Sequence, residues 1–167
     1  KNVFISDDCK EVLPEYLRFV KGVVDSSDLP LNVSREMLQD DAIIRRIRKN
    51  LVGKVLGTLS DMTKDDAEAY RTFFRQFGQV LKEGLHTAFE NRDKLKDLLL
   101  FHTSKTEGDE LVSLRDIVDR AASDQESIYL LQAESLEAAR QSPLLETFRK
   151  RDIEVLSLSD PVDEWIA

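Results

Sequence analysis

Arg35 is the residue whose type and setting could do chemistry. It lies in the segment DLPLNVSREMLQ, residues 28–39. Ser34 is a good N-cap, which predicts that Arg35 occupies the first turn of a short helix ending near Gln39. The helix dipole mildly disfavours a cation at that position, so the placement needs another explanation. A guanidinium beside free N–H groups would suit an anionic partner such as phosphate.

The alternative interpretation of Arg35 is an arginine on a solvated helix start, and composition alone favours it. The preceding loop is rich in Ser, Asp, Pro and Asn, and Pro30 biases Leu29 away from helical angles. We expect Leu29 and Leu31 to anchor this loop, which would hold Arg35 in a defined place.

Other reactive side chains form no recognisable site. His86 and His102 are 16 positions apart without clustered Cys or Asp partners, so surface positions are the better interpretation. Cys9 is the single cysteine, which excludes an internal disulfide and favours a reducing compartment. With 32 Asp and Glu residues, chance proximity of two carboxylates is expected, and we predict no acid/base pair or metal site.

Composition excludes several classes of function. The 167 residues are 41% hydrophobic and 34% charged, enough for one ordinary core or two small ones. A net charge of −8 argues against nucleic acid as the main partner. No apolar run approaches the roughly 20 residues that span a bilayer. Glycine-rich nucleotide loops and the HExxH motif are absent. The start without Met suggests a piece excised from a longer protein.

Helical periodicity dominates the first two thirds of the chain. Residues 12–24 predict one amphipathic helix that tolerates Pro14 in its first turn. A long basic amphipathic helix follows over residues 41–59, with a solvated basic face. Two further apolar stripes predict two more helices and a small bundle: Tyr70, Phe73, Phe74, Phe77 and Leu81, then Leu95, Leu98 and Leu99.

The pattern of apolar residues changes in the last third of the chain. Residues 102–110 are predicted to form a loop and the best internal boundary. Ser113 is expected to cap a short helix, residues 128–131 and 153–158 to be buried strands, and residues 136–150 to be helical. A strand–helix–strand connection at this spacing is a right-handed crossover, so the two strands should be parallel.

Taken with its neighbours, the 28–39 segment resembles the catalytic loop of the heat-shock protein 90 chaperone family. The match includes FVKGVVDSSD at residues 19–28, RKN at 48–50 and EVLSLSDPVDEW at 154–165, and it covers essentially the whole chain. The resemblance implies an α/β fold made of the end of a large αβα subdomain, a three-helix coil and a small αβα subdomain with parallel strands. These would span residues 1–39, 40–104 and 111–167.

The resemblance also implies roles for individual residues. Arg35 would reach the γ-phosphate of ATP on the adjacent N-terminal domain, and Gln39 would support it by hydrogen bonding. The loop residues Leu29, Leu31, Asn32 and Ser34 would shape the loop or dock it on that domain. ATP with Mg would be bound by the N-terminal domain and not by these residues. A non-catalytic client or co-chaperone binding module, with a structural Arg35, is the alternative.

Glu164 and Trp165 carry the second implied role. Trp165 alone is most simply a packing residue, but the resemblance to bacterial members implies that this pair contacts client proteins through a ring beside a charge. The family further implies possible co-chaperones, a homodimer formed through a C-terminal domain, and a cytoplasmic ATPase.

Overall fold

The computed structural model describes residues 11–25 and 42–165, excluding the side chain of Trp165. Within these residues the chain is a mixed α/β structure in which a helical part comes first and a four-stranded sheet with helices between its strands follows. The helices are α1 (Ala42–Asp65), α2 (Ala67–Lys82), α3 (Gly84–Thr87), α4 (Arg92–Leu98), α5 (Leu114–Arg120), α6 (Leu136–Arg140) and α7 (Leu145–Lys150). The strands are β1 (Leu100–Thr103), β2 (Val112–Ser113), β3 (Tyr129–Gln132) and β4 (Val155–Leu158). Short 3₁₀ helices occupy Glu15–Leu17, Phe89–Asn91 and Pro161–Trp165.

Helix α2 follows the aromatic stripe seen in the sequence. Asp66 caps its first turn, because the carboxylate accepts a hydrogen bond from the amide of Ala69 at 3.1 Å. Tyr70, Phe74 and Leu81 are buried on one face. The Tyr70 hydroxyl donates to the backbone carbonyl of Leu98, which satisfies a polar group inside the core. The predicted helices over the two central stripes are therefore confirmed.

The sheet has the strand order β2-β1-β4-β3. Strands β3 and β4 are parallel, in register from Tyr129 opposite Val155 to Gln132 opposite Leu158, which confirms the predicted parallel pairing. Strand β1 pairs antiparallel with both β4 and β2, so the sheet is mixed. The predicted loop at residues 102–110 is wrong at its start, because His102 and Thr103 belong to β1.

Two predicted helices are shorter than expected. Residues 12–24 contain only the 3₁₀ helix Glu15–Leu17, since Pro14 takes the extended N-cap conformation and no regular helix follows Leu17. The predicted helix 136–150 is divided into α6 and α7, and Pro143 lies in the break. A proline cannot donate the backbone hydrogen bond that a helix interior requires.

Strand β3 lies at the right place but is not buried. Tyr129 and Leu130 are 39% and 44% exposed. Strand β3 is an edge strand of the sheet, whereas β4 lies between two strands and is buried throughout. An apolar run in the sequence cannot distinguish these two positions.

One apolar core joins the helices to the sheet. It runs from Tyr16 and Leu17 through α1, α2 and α4 to β1, β2 and β4. A buried polar contact reinforces it where the Thr103 hydroxyl donates to Glu154 at 2.6 Å and Arg120 pairs with the same carboxylate at 2.7 Å. The predicted division into units at residues 39–40 and 104–111 stays a prediction.

Candidate functional site

The segment that carries Glu164 and Trp165 is the 3₁₀ helix Pro161–Trp165, directly after β4. Asp163 holds this turn from within. Its Oδ2 atom accepts hydrogen bonds from the backbone N–H groups of Ser159 at 3.0 Å and Asp160 at 2.9 Å. The Asp163 amide in turn donates to the Asp160 carbonyl at 2.9 Å. One carboxylate oxygen thus fixes the backbone from which Glu164 projects.

The other oxygen of Asp163 binds helix α2. Nζ of Lys82, the last residue of α2, lies 2.6 Å from Asp163 Oδ1 and 2.8 Å from Asp160 Oδ2. Lys82 is 5% exposed and Asp163 2% exposed. Nζ also lies 5.5 Å from the centre of the Phe101 ring, a cation–π distance. The cluster of Lys82, Asp160 and Asp163 is therefore a buried ionic contact between α2 and the 3₁₀ helix.

Neighbouring groups favour the ionised form of Asp160. Burial raises the pKa of Asp160, but hydrogen bonds from Lys82 and Gln79 and the positive charge of Lys82 together bring the pKa below its usual value. Gln79 donates to Asp160 Oδ1 at 2.9 Å. Breaking such a buried pair by removing one partner costs about 3–5 kcal/mol, because the remaining charge is left in a poorly polarisable surrounding.

Glu164 follows the buried Asp163 and is itself exposed. The alternation arises because the short 3₁₀ turn places successive side chains on different sides. The resulting element presents a carboxylate to solvent from a backbone that is fixed on its inner side. Trp165 is the last residue of the same element, and its side chain lies outside what the structure describes.

A second ion pair lies next to the first in sequence. Glu83 follows Lys82 and makes a two-pronged contact with Arg18, with Arg18 Nη2 2.7 Å from Glu83 Oε1. This pair is half exposed, with side-chain exposures of 45% for Arg18 and 34% for Glu83. The Arg18 hydrogen bond lowers the pKa of Glu83 despite partial burial. The end of α2 is thus attached both to the segment after β4 and to the segment after Glu15–Leu17.

The residues predicted for the catalytic loop lie outside the described residues. They are Leu29, Leu31, Asn32, Ser34, Arg35 and Gln39. Among the predicted residues the structure therefore places only Glu164 and the backbone of Trp165. Sequence reasoning missed Lys82 and Asp163. The spacing of Asp160 and Asp163 around Pro161 could have indicated a capped turn, but nothing in the sequence pairs either with Lys82.

Neither histidine belongs to a recognisable site within the described part of the chain. His86 is exposed as predicted, but His102 is half-buried, and burial lowers its pKa. Residues 11–25 and 42–165 contain no group of three or more metal-ligating side chains. None of the helices described in this range is long and apolar enough to cross a membrane.

Comparison with known proteins defines the class of protein. The family model described as Hsp90 protein matches residues 1–167. The chain therefore belongs to the heat-shock protein 90 family of chaperones. It is 57% identical over 166 residues to the chaperone protein HtpG of Geobacter sulfurreducens and 55% identical over 166 residues to that of Geobacter metallireducens, covering 99% of this chain and 26% of each relative.

A more distant bacterial relative gives the same result. The chaperone protein HtpG of Escherichia coli O1:K1 / APEC is 51% identical over 167 residues, with 99% of this chain and 27% of the relative covered. The chain thus spans about a quarter of the length of these relatives.

Proposed function

We propose that this chain is the middle segment of an ATP-dependent molecular chaperone. It would supply Arg35 to ATP hydrolysis on the adjacent N-terminal domain and help bind unfolded or partly folded client proteins. The observation that carries the proposal is the family match over residues 1–167, together with relatives that are named chaperones. ATP and Mg would be held by the N-terminal domain. The full protein would be a homodimer that acts in the cytoplasm.

Arg35 has the chemistry for the proposed step. Hydrolysis develops negative charge on the phosphoryl oxygens, and a planar guanidinium can stabilise two of them at once. Gln39 is four residues later, which on a helix places it on the same face. Its amide would hydrogen bond to the phosphate or to the loop, while Leu29 and Leu31 would dock the loop on the neighbouring domain.

Glu164 and Trp165 have the properties of a client-contact segment. Glu164 is exposed on a 3₁₀ turn whose backbone is fixed by the buried Asp163. Tryptophan beside a charge is a frequent anchor in protein interfaces, since the ring offers apolar area and the charge sets orientation. We call Pro161–Trp165 the client-contact segment below.

Replacement of Arg35 in the full-length protein tests the catalytic proposal. We expect Arg35→Ala to lower ATP turnover by orders of magnitude with ATP affinity little changed, since arginine fingers contribute roughly 10³–10⁵-fold in phosphoryl transfer. Arg35→Lys should also fail, because an ammonium cannot reproduce the planar fork. Arg46→Ala, which removes an exposed arginine of α1, is the matched control.

Steady-state hydrolysis and nucleotide binding distinguish the two outcomes. Loss of turnover in both Arg35 variants, with Arg46→Ala unaffected, supports a catalytic arginine. Turnover equal to that of the unmodified protein would instead make Arg35 structural and the chain a non-catalytic client or co-chaperone binding module.

A further inference from the structure

The carboxylate of Asp163 performs two separate tasks. Oδ2 accepts the backbone hydrogen bonds of Ser159 and Asp160 and so closes the client-contact segment on itself. Oδ1 lies 2.6 Å from Lys82 Nζ and so attaches the closed segment to α2. One oxygen of Asp163 therefore fixes the backbone turn of the segment, and the other oxygen holds the segment against α2.

Burial of both charges ties the position of the client-contact segment to that of Lys82. Lys82 and Asp163 are 5% and 2% exposed, so neither charge can exchange its partner for water without moving the segment. Asp160 and Gln79 extend the contact on the same side. The client-contact segment is only five residues long, so its orientation depends on contacts beyond itself.

From this geometry we infer that Lys82 is a positioning residue for client binding. Through Asp163 it holds the backbone of Glu164 and of the following Trp165 in a fixed position relative to α2. The inference rests on the proposed role of Glu164 and Trp165 in client contact. It adds a residue of the helical part of the chain to the groups that determine client affinity, although Lys82 itself does not touch the client.

Asp163→Asn separates positioning from folding. The asparagine carbonyl can still accept from Ser159 and Asp160, so the turn stays closed. Its amide group, a donor, then faces the Lys82 ammonium, also a donor, so this contact is lost and only the contact of Lys82 with Asp160 remains. Lys82→Met removes the contacts with both Asp163 and Asp160 while keeping an unbranched apolar stem. The double variant Lys82→Met/Asp163→Asn completes a double-mutant cycle.

Client affinity in the full-length protein is the first measurement. The probe is reduced and carboxamidomethylated lysozyme, a permanently unfolded chain, titrated by fluorescence anisotropy. We expect each single variant to raise Kd by about fivefold or more, the lower end of typical site-to-site coupling. The double variant should bind no more weakly than Lys82→Met, because that substitution already removes the contact that Asp163→Asn breaks.

Glu83→Gln is the matched control. It removes an ion pair from the adjacent residue of the same helix end, but that pair faces Arg18 and not the client-contact segment. We expect its Kd to equal that of the unmodified protein. A rise equal to that in Asp163→Asn would show a general loosening of the helix end and overturn the inference.

The surroundings of Trp165 are the second measurement, because a loss of stability without movement of the segment would not change them. With 5-fluorotryptophan incorporated, the ¹⁹F resonance of Trp165 is identified by its loss in Trp165→Phe. We expect Asp163→Asn to shift or broaden it and Glu83→Gln to leave it in place. If Lys82→Met does not fold, Asp163→Asn decides the result alone.

Trp165→Arg distinguishes failure of this inference from failure of the proposed function. If Trp165→Arg weakens client binding while Asp163→Asn binds with unchanged Kd, the segment contacts clients but Lys82 does not position it. If Trp165→Arg also binds with unchanged Kd, the client-contact role is wrong and the positioning inference is overturned with it.

Discussion

The ring of Tyr16 packs directly on the backbone of Gly84. A Cβ atom at Gly84 would lie 2.9 Å from Cγ and Cδ2 of Tyr16 and 2.8 Å from Cδ1 of Leu95. Both of these neighbours are buried in the main core. The 3₁₀ helix Glu15–Leu17 therefore approaches α3 and α4 as closely as it does only because residue 84 has no side chain.

Gly84→Ala is expected to destabilise the protein although alanine is the better helix former. Displacing two buried side chains typically costs about 1–3 kcal/mol, which exceeds the gain in helix propensity of roughly 1 kcal/mol. Gly57→Ala is the matched control, because it lies inside α1 with nothing within 4 Å of its Cβ position. That variant should gain about 0.5–1 kcal/mol.

Urea denaturation of the 167-residue chain measures both effects. Opposite signs for the two alanine variants are expected. Equal stabilisation by both would mean that Tyr16 and Leu95 relax freely around residue 84 and that the contact described above is not tight.

The capping box of α5 gives a pH-dependent contribution to stability. Ser113 Oγ accepts a hydrogen bond from the Asp116 amide at 3.1 Å, and the Asp116 carboxylate accepts from the Ser113 amide at 2.8 Å and from its hydroxyl at 2.7 Å. The Ser113 hydrogen bonds lower the pKa of Asp116 from its ordinary value of 3.8. This contribution is therefore complete above pH 3.8 and is lost as the pH falls through the lower pKa of the folded state.

Asp116→Asn should cost about 1 kcal/mol at neutral pH, the usual value of a helix cap. It should also flatten the decline in the free energy of unfolding on acidification below pH 3.8. Asp119→Asn, an exposed position of the same helix, is the control. Urea unfolding at several pH values measures both, and parallel acid declines for Asp116→Asn and the unmodified protein would contradict the assignment.

The two ion pairs at the end of α2 should contribute to stability with different dependence on salt. Glu83→Gln breaks a partly exposed pair and should cost at most about 1 kcal/mol at low ionic strength, falling toward zero in concentrated salt. Lys82→Met leaves Asp163 buried beside a methionine and should cost about 3–5 kcal/mol with little salt dependence. Urea unfolding in low and high NaCl tests this, and a cost for Lys82→Met that disappears in salt would show that its pair is solvated.

Local patterns in the sequence predicted the parts of the fold that depend on neighbouring residues. The aromatic stripe from Tyr70 to Leu81 gave α2, and Ser113 gave the start of α5. The parallel pairing of β3 and β4 followed from strand and helix spacing. Pro14 is compatible with the first turn of a helix in general, but here the chain forms only a short 3₁₀ helix.

Contacts distant in sequence were not predictable in the same way. Strand β2 has two residues and is recognisable only from its partner β1. Lys82 and Asp163 are separated by 81 positions, and each alone resembles an ordinary surface charge. The roles of Arg35 and Gln39 come from family resemblance and lie outside the described residues, so they stay predictions.

The two consecutive charges at the end of α2 also constrain the length of that helix. Each added residue turns a helix by about 100° and advances it by 1.5 Å. One insertion between Tyr70 and Lys82 would therefore rotate Lys82 away from Asp163 and Glu83 away from Arg18 if the aromatic face before the insertion kept its packing. A substitution along α2 leaves the direction of Lys82 and Glu83 unchanged, whereas a gain or loss of a single residue there would separate the helix end from Arg18 and Asp163 at once.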